Sequence, residues 1–190
     1  MQLHEKFIYT AKTYPNKIAI VDRLVEKRFT YQQTLIASLI FSRKIKRFKE
    51  RLIGIMLPNS AVAVFTVIGT LMAGKIPVML NYSTGAEHNI KYAREKCNFH
   101  TVITSQKLLE RINCPILENM SFVEKWIEEI DLKEKIIASA ISKLPLKFLM
   151  NYCGVDGDSE KTAVILFTSG TEKDPKAVEL SHKNILSNIE

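Results

Sequence analysis

The chain has 190 residues, room for one sizeable hydrophobic core and at most part of a second. With 46% hydrophobic and 25% charged residues it has the make-up of a globular protein, which excludes a disordered or fibrous chain. Its net charge of +7 favours anionic partners as a class, among them nucleotides, phospholipid surfaces and acidic carrier proteins.

Leu3–Thr13 carries Leu3, Phe7, Ile8 and Ala11 at helical spacing, and Pro15-Asn16 ends it. Ile18–Val21 and Lys27–Phe29 read as the strands of a hairpin. Thr30 followed by Gln33 is a capping-box signal. It opens a helix with Leu35, Ile36, Leu39, Ile40, Ile45 and Phe48 on one face. Arg43, Lys44, Lys46, Arg47 and Lys49 form a basic knot opposite, expected to be solvated. No aromatic-rich nucleic-acid pattern accompanies it, so no nucleic-acid partner is expected.

From Arg51 the rhythm changes. Leu52–Leu57 suits a strand buried on both faces, and Asn59 or Ser60 caps an apolar helix, Ala61–Met72, stopped by Gly74. Ile76–Leu80 is the next strand, Glu87–Lys96 a helix, Thr101–Thr104 a strand and Lys107–Ile112 a short helix. Pro115–Leu117 reads as a weak strand and Phe122–Ile141 as mostly helix. Strands alternating with helices imply a doubly wound, mostly parallel sheet flanked by helices, with ligands at the carboxyl ends of its strands. Residues 1–50 are expected to belong to a neighbouring subdomain and 51–190 to this α/β unit.

Ile136–Cys153 is mostly apolar, broken at Pro145 and interrupted by Lys143 and Lys147. It reads either as a pair of helices packed on the core or as a surface touching a membrane or a lipid chain. Cys97, Cys114 and Cys153 are odd in number and too scattered for a metal site, which suits buried or neutral thiols in a reducing compartment. No apolar run reaches the roughly 20 residues that span a bilayer, and no secretory leader is seen. The expected location is cytoplasmic, with peripheral contact at the inner face of the membrane as a further option.

Thr162–Ser181 concentrates the chemistry. The strand-like run Ala163–Phe167 opens into Thr168, Ser169, Gly170 and Thr171, then Glu172, Lys173, Asp174, Pro175 and Lys176, before a second strand at Ala177–Leu180. Hydroxyls, backbone N–H groups and a lysine are what a phosphate-binding loop uses, and the same residue types also make ordinary turns. The GxxxxGK(S/T) spacing of a Walker loop, the GxGxxG of a dinucleotide site and the GxSxG of a serine nucleophile are all missing.

Phe167–Asn184, FTSGTEKDPKAVELSHKN, resembles the first core motif of the adenylate-forming superfamily. Thr168, Ser169, Gly170, Thr171, Pro175, Lys176, Val178, Ser181, His182 and Asn184 stand at matching positions. Phe29-Thr30-Tyr31, Gly54–Asn59 and Ala73–Leu80 resemble upstream segments, and Asn81–Gly85 is most similar to the acyl-[acyl-carrier-protein] synthetases, which can be fused to a 2-acylglycerophosphoethanolamine acyltransferase. The resemblance implies the first part of the family's N-terminal domain and a two-step reaction. A fatty acid is joined to AMP from ATP, then to the thiol of an acyl carrier protein or coenzyme A. It implies that Thr168, Ser169, Gly170, Thr171, Glu172, Lys173 and Lys176 hold the phosphates with Mg²⁺ shared, and that Lys176 stabilises the departing pyrophosphate.

Two usual glycines are replaced, by Lys173 and Ala177, which removes backbone freedom where a positive φ is wanted. The remaining parts of such an enzyme are expected beyond Glu190, so the 190 residues alone are expected to be inactive. A non-catalytic remnant that binds nucleotide or a partner, and a peripheral membrane module, stand as alternatives.

Overall fold

The computed structural model describes residues 1–168 and 175–189. Helix α1 (Leu3–Thr13) leads into an antiparallel hairpin, β1 (Ile18–Asp22) and β2 (Lys27–Thr30). Thr30 then caps α2 (Tyr31–Ile45): its Oγ1 accepts from the Gln33 N–H at 3.2 Å, while Gln33 Oε1 accepts from the Thr30 N–H at 2.9 Å. The capping box expected from the sequence is therefore formed.

The next segments alternate as β3 (Leu52–Met56), α3 (Ala61–Met72), β4 (Ile76–Met79), α4 (Ala86–Cys97), β5 (Val102–Thr104) and α5 (Gln106–Arg111). They are followed by β6 (Met120–Phe122), α6 (Val123–Glu128), α7 (Leu132–Ser142) and α8 (Leu146–Tyr152). The chain closes with β7 (Thr162–Phe167), β8 (Ala177–Ser181) and α9 (His182–Leu186). Six strands form one sheet in the order β6-β5-β3-β4-β7-β8. All neighbours run parallel except β8, which lies antiparallel to β7 at the edge. The mostly parallel α/β sheet expected from the sequence is present.

Side chains of the central strands alternate between two cores, as a sheet covered on both faces requires. Met56, Val78, Val102 and Ile165 pack against α4 and α5 through Ile90, Ala93, Leu108 and Leu109. Ile53, Ile55 and Ile103 face the other way, towards Phe41 and Ile45 of α2, Phe65 of α3 and Trp126 of α6. A third cluster is built between helices: Ile8, Leu35, Leu39, Met72, Ala138, Leu149 and Cys153 join α1, α2, α3, α7 and the α8 end. Residues on both sides of position 50 thus share two of the three cores.

Two glycines are demanded by close approach. A Cβ on Gly54 would fall 2.6 Å from the Phe99 ring, and one on Gly69 would meet Ser38 and Ser42 of α2 at 3.0 Å. Gly69 and the small residues of α2 let the two helices cross at short range.

Three expectations change. Pro115–Leu117 is not a strand; β6 lies at Met120–Phe122, paired with Val102–Thr104, after a turn in which Asn119 takes φ +56°. The helix expected over Phe122–Ile141 is two, because Asp131 caps a new one by accepting the Glu134 N–H at 2.7 Å. The basic knot is not wholly solvated. Lys44 is buried and pairs with Glu129 (3.2 Å) and Glu134 (3.9 Å), while Lys46 donates to the Tyr152 carbonyl at 3.2 Å. These basic residues clasp the later helices, which sequence distance conceals. Ile136–Cys153, by contrast, keeps its first reading: it lies in the helix pair α7 and α8, broken at Pro145, with one face in the third core.

Candidate phosphate-binding hairpin

The parallel strands bring the carboxyl ends of β5, β3, β4 and β7 to one edge of the sheet. Most polar residues at that edge are committed to local structure. Ser60 Oγ accepts from the Ala63 N–H at 3.3 Å and caps α3, assisted by buried Asp22 from the hairpin, whose Oδ2 accepts from the Ala61 N–H at 2.7 Å. Thr104 Oγ1 donates to the Met56 carbonyl at 2.9 Å, and Ser105 caps α5. Asn89 of α4 donates to the carbonyls of Asn81 (3.0 Å) and Thr84 (2.7 Å), pinning the turn after β4.

At the end of β7 the arrangement differs. Phe167 faces Ala177 across the β7–β8 ladder. One step further, the Thr168 N–H donates to the Lys176 carbonyl at 3.0 Å, and the Lys176 N–H donates to Thr168 Oγ1 at 3.1 Å. This two-way link closes the loop at its base, with both residues on the exposed rim. Ser169, Gly170, Thr171, Glu172 and Lys173 lie outside the described residues, so the structure unites two of the seven expected site residues, Thr168 and Lys176. Ala177 sits within β8 and is not among the described residues with positive φ. Alanine in place of glycine therefore strains nothing at this position, contrary to the expectation from the motif.

Tyr92 is a contributor that the sequence did not announce. From α4 its hydroxyl donates to the Pro175 carbonyl at 2.9 Å, and its ring meets Phe167 edge-on with centroids 6.2 Å apart. His88 stacks on it from behind. In the sequence Tyr92 is one more residue of a polar helix; its place against the loop depends on the β4-α4 crossover.

The other end of the hairpin lies at the opposite edge of the sheet, since Ser181 pairs with Thr162 at the start of β7. Ser181 and Asn184 form a capping box for α9. His182 is buried, and its Nδ1 accepts the Leu3 N–H at 3.1 Å, tying α1 to the motif. The His4 ring stands 5.6 Å from that of His182. Burial, reinforced by the neighbouring His182, lowers the His4 pKa to about 4, and burial lowers that of His182 as well. The three cysteines are unpaired, and burial raises the Cys153 thiol to about 12. Among the described residues no group of three or more His, Cys, Asp or Glu could hold a metal ion, and no helix is long and apolar enough to cross a membrane.

Residues 7–190 match the AMP-binding enzyme family. The chain belongs to this family. It is 28% identical over 151 residues to a long-chain-fatty-acid–CoA ligase of Mus musculus, covering 70% of this chain and 21% of that protein. To the D-alanine–D-alanyl carrier protein ligase of Lactococcus lactis subsp. lactis it is 27% identical over 192 residues, covering 98% of this chain and 34% of the relative. Among solved structures, VinN superposes with a TM-score of 0.73 at 21% identity, over 98% of this chain and 47% of that one. The o-succinylbenzoate CoA synthetase of Bacillus subtilis, solved with its acyl-adenylate intermediate, gives 0.71 at 18% identity, over 100% and 45% of the two chains. This member of the AMP-binding enzyme family therefore spans between a fifth and a third of these curated relatives, and its sheet and helices follow the N-terminal fold of adenylate-forming enzymes.

Proposed function

We propose that the chain is the phosphate-binding part of an ATP-dependent acid–thiol ligase that activates a fatty acid. The observation that carries this reading is the hairpin. The motif residues stand in order in an AMP-binding family member, and Thr168 and Lys176 are bonded to each other at the carboxyl edge of the sheet. In the proposed reaction a carboxylate oxygen attacks the α-phosphorus of ATP and the bond to pyrophosphate breaks. A thiol sulfur then attacks the acyl carbon and AMP leaves. Two anions must meet in the first step, so cationic and hydrogen-bonding groups are the chief need.

Thr168 Oγ1 already accepts from the Lys176 N–H, which leaves its own hydrogen for a phosphate oxygen. Lys176 is assigned to the charge of the departing pyrophosphate. Ser169, Gly170, Thr171, Glu172 and Lys173 are assigned to the loop that surrounds the phosphates. Mg²⁺, when bound, would neutralise triphosphate charge; the described residues hold no cluster of ligands for it, and no step is assigned to it. The fatty-acid substrate and a thiol acceptor, acyl carrier protein or coenzyme A, are supported by the fatty-acid–CoA and carrier-protein ligases among the relatives. A cytoplasmic setting and a unit at 51–190 ending in this loop belong to the same proposal.

The test is fatty-acid-dependent ATP–pyrophosphate exchange by the full-length enzyme carrying Lys176→Ala. A fall on the order of 10²–10³ is expected, as for the loss of one transition-state donor; an unchanged rate would sink the assignment. The purified 190-residue chain is expected to give no exchange.

A further inference from the structure

Helices α7 and α8 present an outward face that the ligase reading does not use. Leu132 and Ile136 of α7, Leu144 in the turn between the helices and Phe148 of α8 are 72%, 60%, 36% and 65% exposed. Their helices are fixed from behind: Ala138, Leu149 and Cys153 are fully buried in the helical core, and Lys12 of α1 donates to the carbonyls of Ser142 and Leu144 at 3.2 and 3.1 Å. The exposed apolar residues are thus held on a rigid support.

Charge is sorted across the same helices. Glu134 turns inward to buried Lys44, and the Asp131 carboxylate caps α7. Lys133, Lys135, Lys143 and Lys147 are all exposed and make no ion pair among the described residues. On α7, Lys133 and Lys135 flank the line joining Leu132 to Ile136 on its two sides, by the 100° turn per residue. Apolar side chains between long cationic ones match the boundary of an anionic bilayer, where acyl chains take the former and headgroups the latter. An acidic protein surface would match the lysines, but would leave four large apolar groups to be buried by residues that are themselves charged.

We infer that the outward face of α7 and α8, through Ile136 and Phe148 with Lys143 and Lys147, docks the protein on anionic lipid membranes. The docking does not depend on catalysis.

Vesicle flotation with the full-length enzyme tests it. The protein is expected to float with vesicles of phosphatidylcholine containing phosphatidylglycerol, and not with phosphatidylcholine alone. Lys143→Glu with Lys147→Glu should lower the bound fraction at least tenfold, and Ile136→Ser with Phe148→Ser should do the same. Both pairs are exposed, so circular dichroism and thermal unfolding should match the wild type, which separates lost docking from lost folding. Absence of binding to the anionic vesicles would overturn the inference, as would binding untouched by either double variant. Self-association of the wild type that Ile136→Ser with Phe148→Ser abolishes would assign the face to a second copy of the chain, and would overturn it too.

Discussion

The two ends of the β7–β8 hairpin are written in one continuous motif, yet they are built for different work. The loop end places Thr168 and Lys176 on an exposed rim, joined by two hydrogen bonds and steadied by Tyr92. The far end, roughly 17 Å away at about 3.4 Å per strand residue, buries His182 against α1 and turns Ser181 and Asn184 into a helix cap. The lesson is that a motif can be a unit of sequence without its two ends sharing one structural setting. One strand carries it past both edges of the sheet, and only the carboxyl edge faces ligand in a parallel α/β architecture.

That division can be broken by substitutions at each end. The largest effect is expected from Lys176→Ala, a 10²–10³ loss of adenylate formation in the full-length enzyme with no change in melting temperature. A matching loss of stability would show that the loop end is structural after all.

Next is the acid sensitivity of the far end. His4 is held neutral in the fold down to about pH 4 but takes a proton near 6.5 when unfolded. The unfolded state therefore binds more protons between these values, and stability falls as pH drops through that window. The loss is on the order of 3 kcal/mol for His4, being the shift times about 1.4 kcal/mol per unit, with His182 adding in the same direction. Urea unfolding at pH 7 and pH 4.5 should show it, and His4→Gln should flatten the difference. An unflattened profile would place the sensitivity elsewhere.

His182→Ala comes third. It leaves the Leu3 N–H without its acceptor in a half-buried setting, at a cost of about 1 kcal/mol. Chemical denaturation should detect this while adenylation per folded molecule stays within a few-fold. A catalytic collapse in a folded His182→Ala enzyme would erase the distinction between the two ends. The smallest change is expected from Tyr92→Phe, which removes one hydrogen bond to the Pro175 carbonyl, about 1 kcal/mol. Pyrophosphate exchange should fall by less than tenfold, through looser support of the loop base.

Much of the architecture was legible because it rests on local rules. The capping box at Thr30 and Gln33 and the alternating strands and helices after Arg51 follow from hydrogen-bonding chemistry and periodicity that a few neighbouring residues carry. The errors fall where partners are distant. Met120–Phe122 is a strand because β5 lies beside it, and Lys44 is buried because Glu129 and Glu134 return to it from far along the chain. Ala177 looked costly by comparison with a glycine pattern, yet its strand backbone needs no positive φ.

By itself the sequence determined the helices, the strand alternation, the candidate loop from Thr168 to Lys176 and the likeness to adenylate-forming enzymes, since each is encoded in contiguous residues. Only the tertiary structure decided that Thr168 and Lys176 close on each other, that Tyr92 braces the loop and that His182 holds α1. The physical reason is that hydrogen bonds and burial act through space. Strand order and the crossover helices choose which distant residues meet, and no local pattern records that choice.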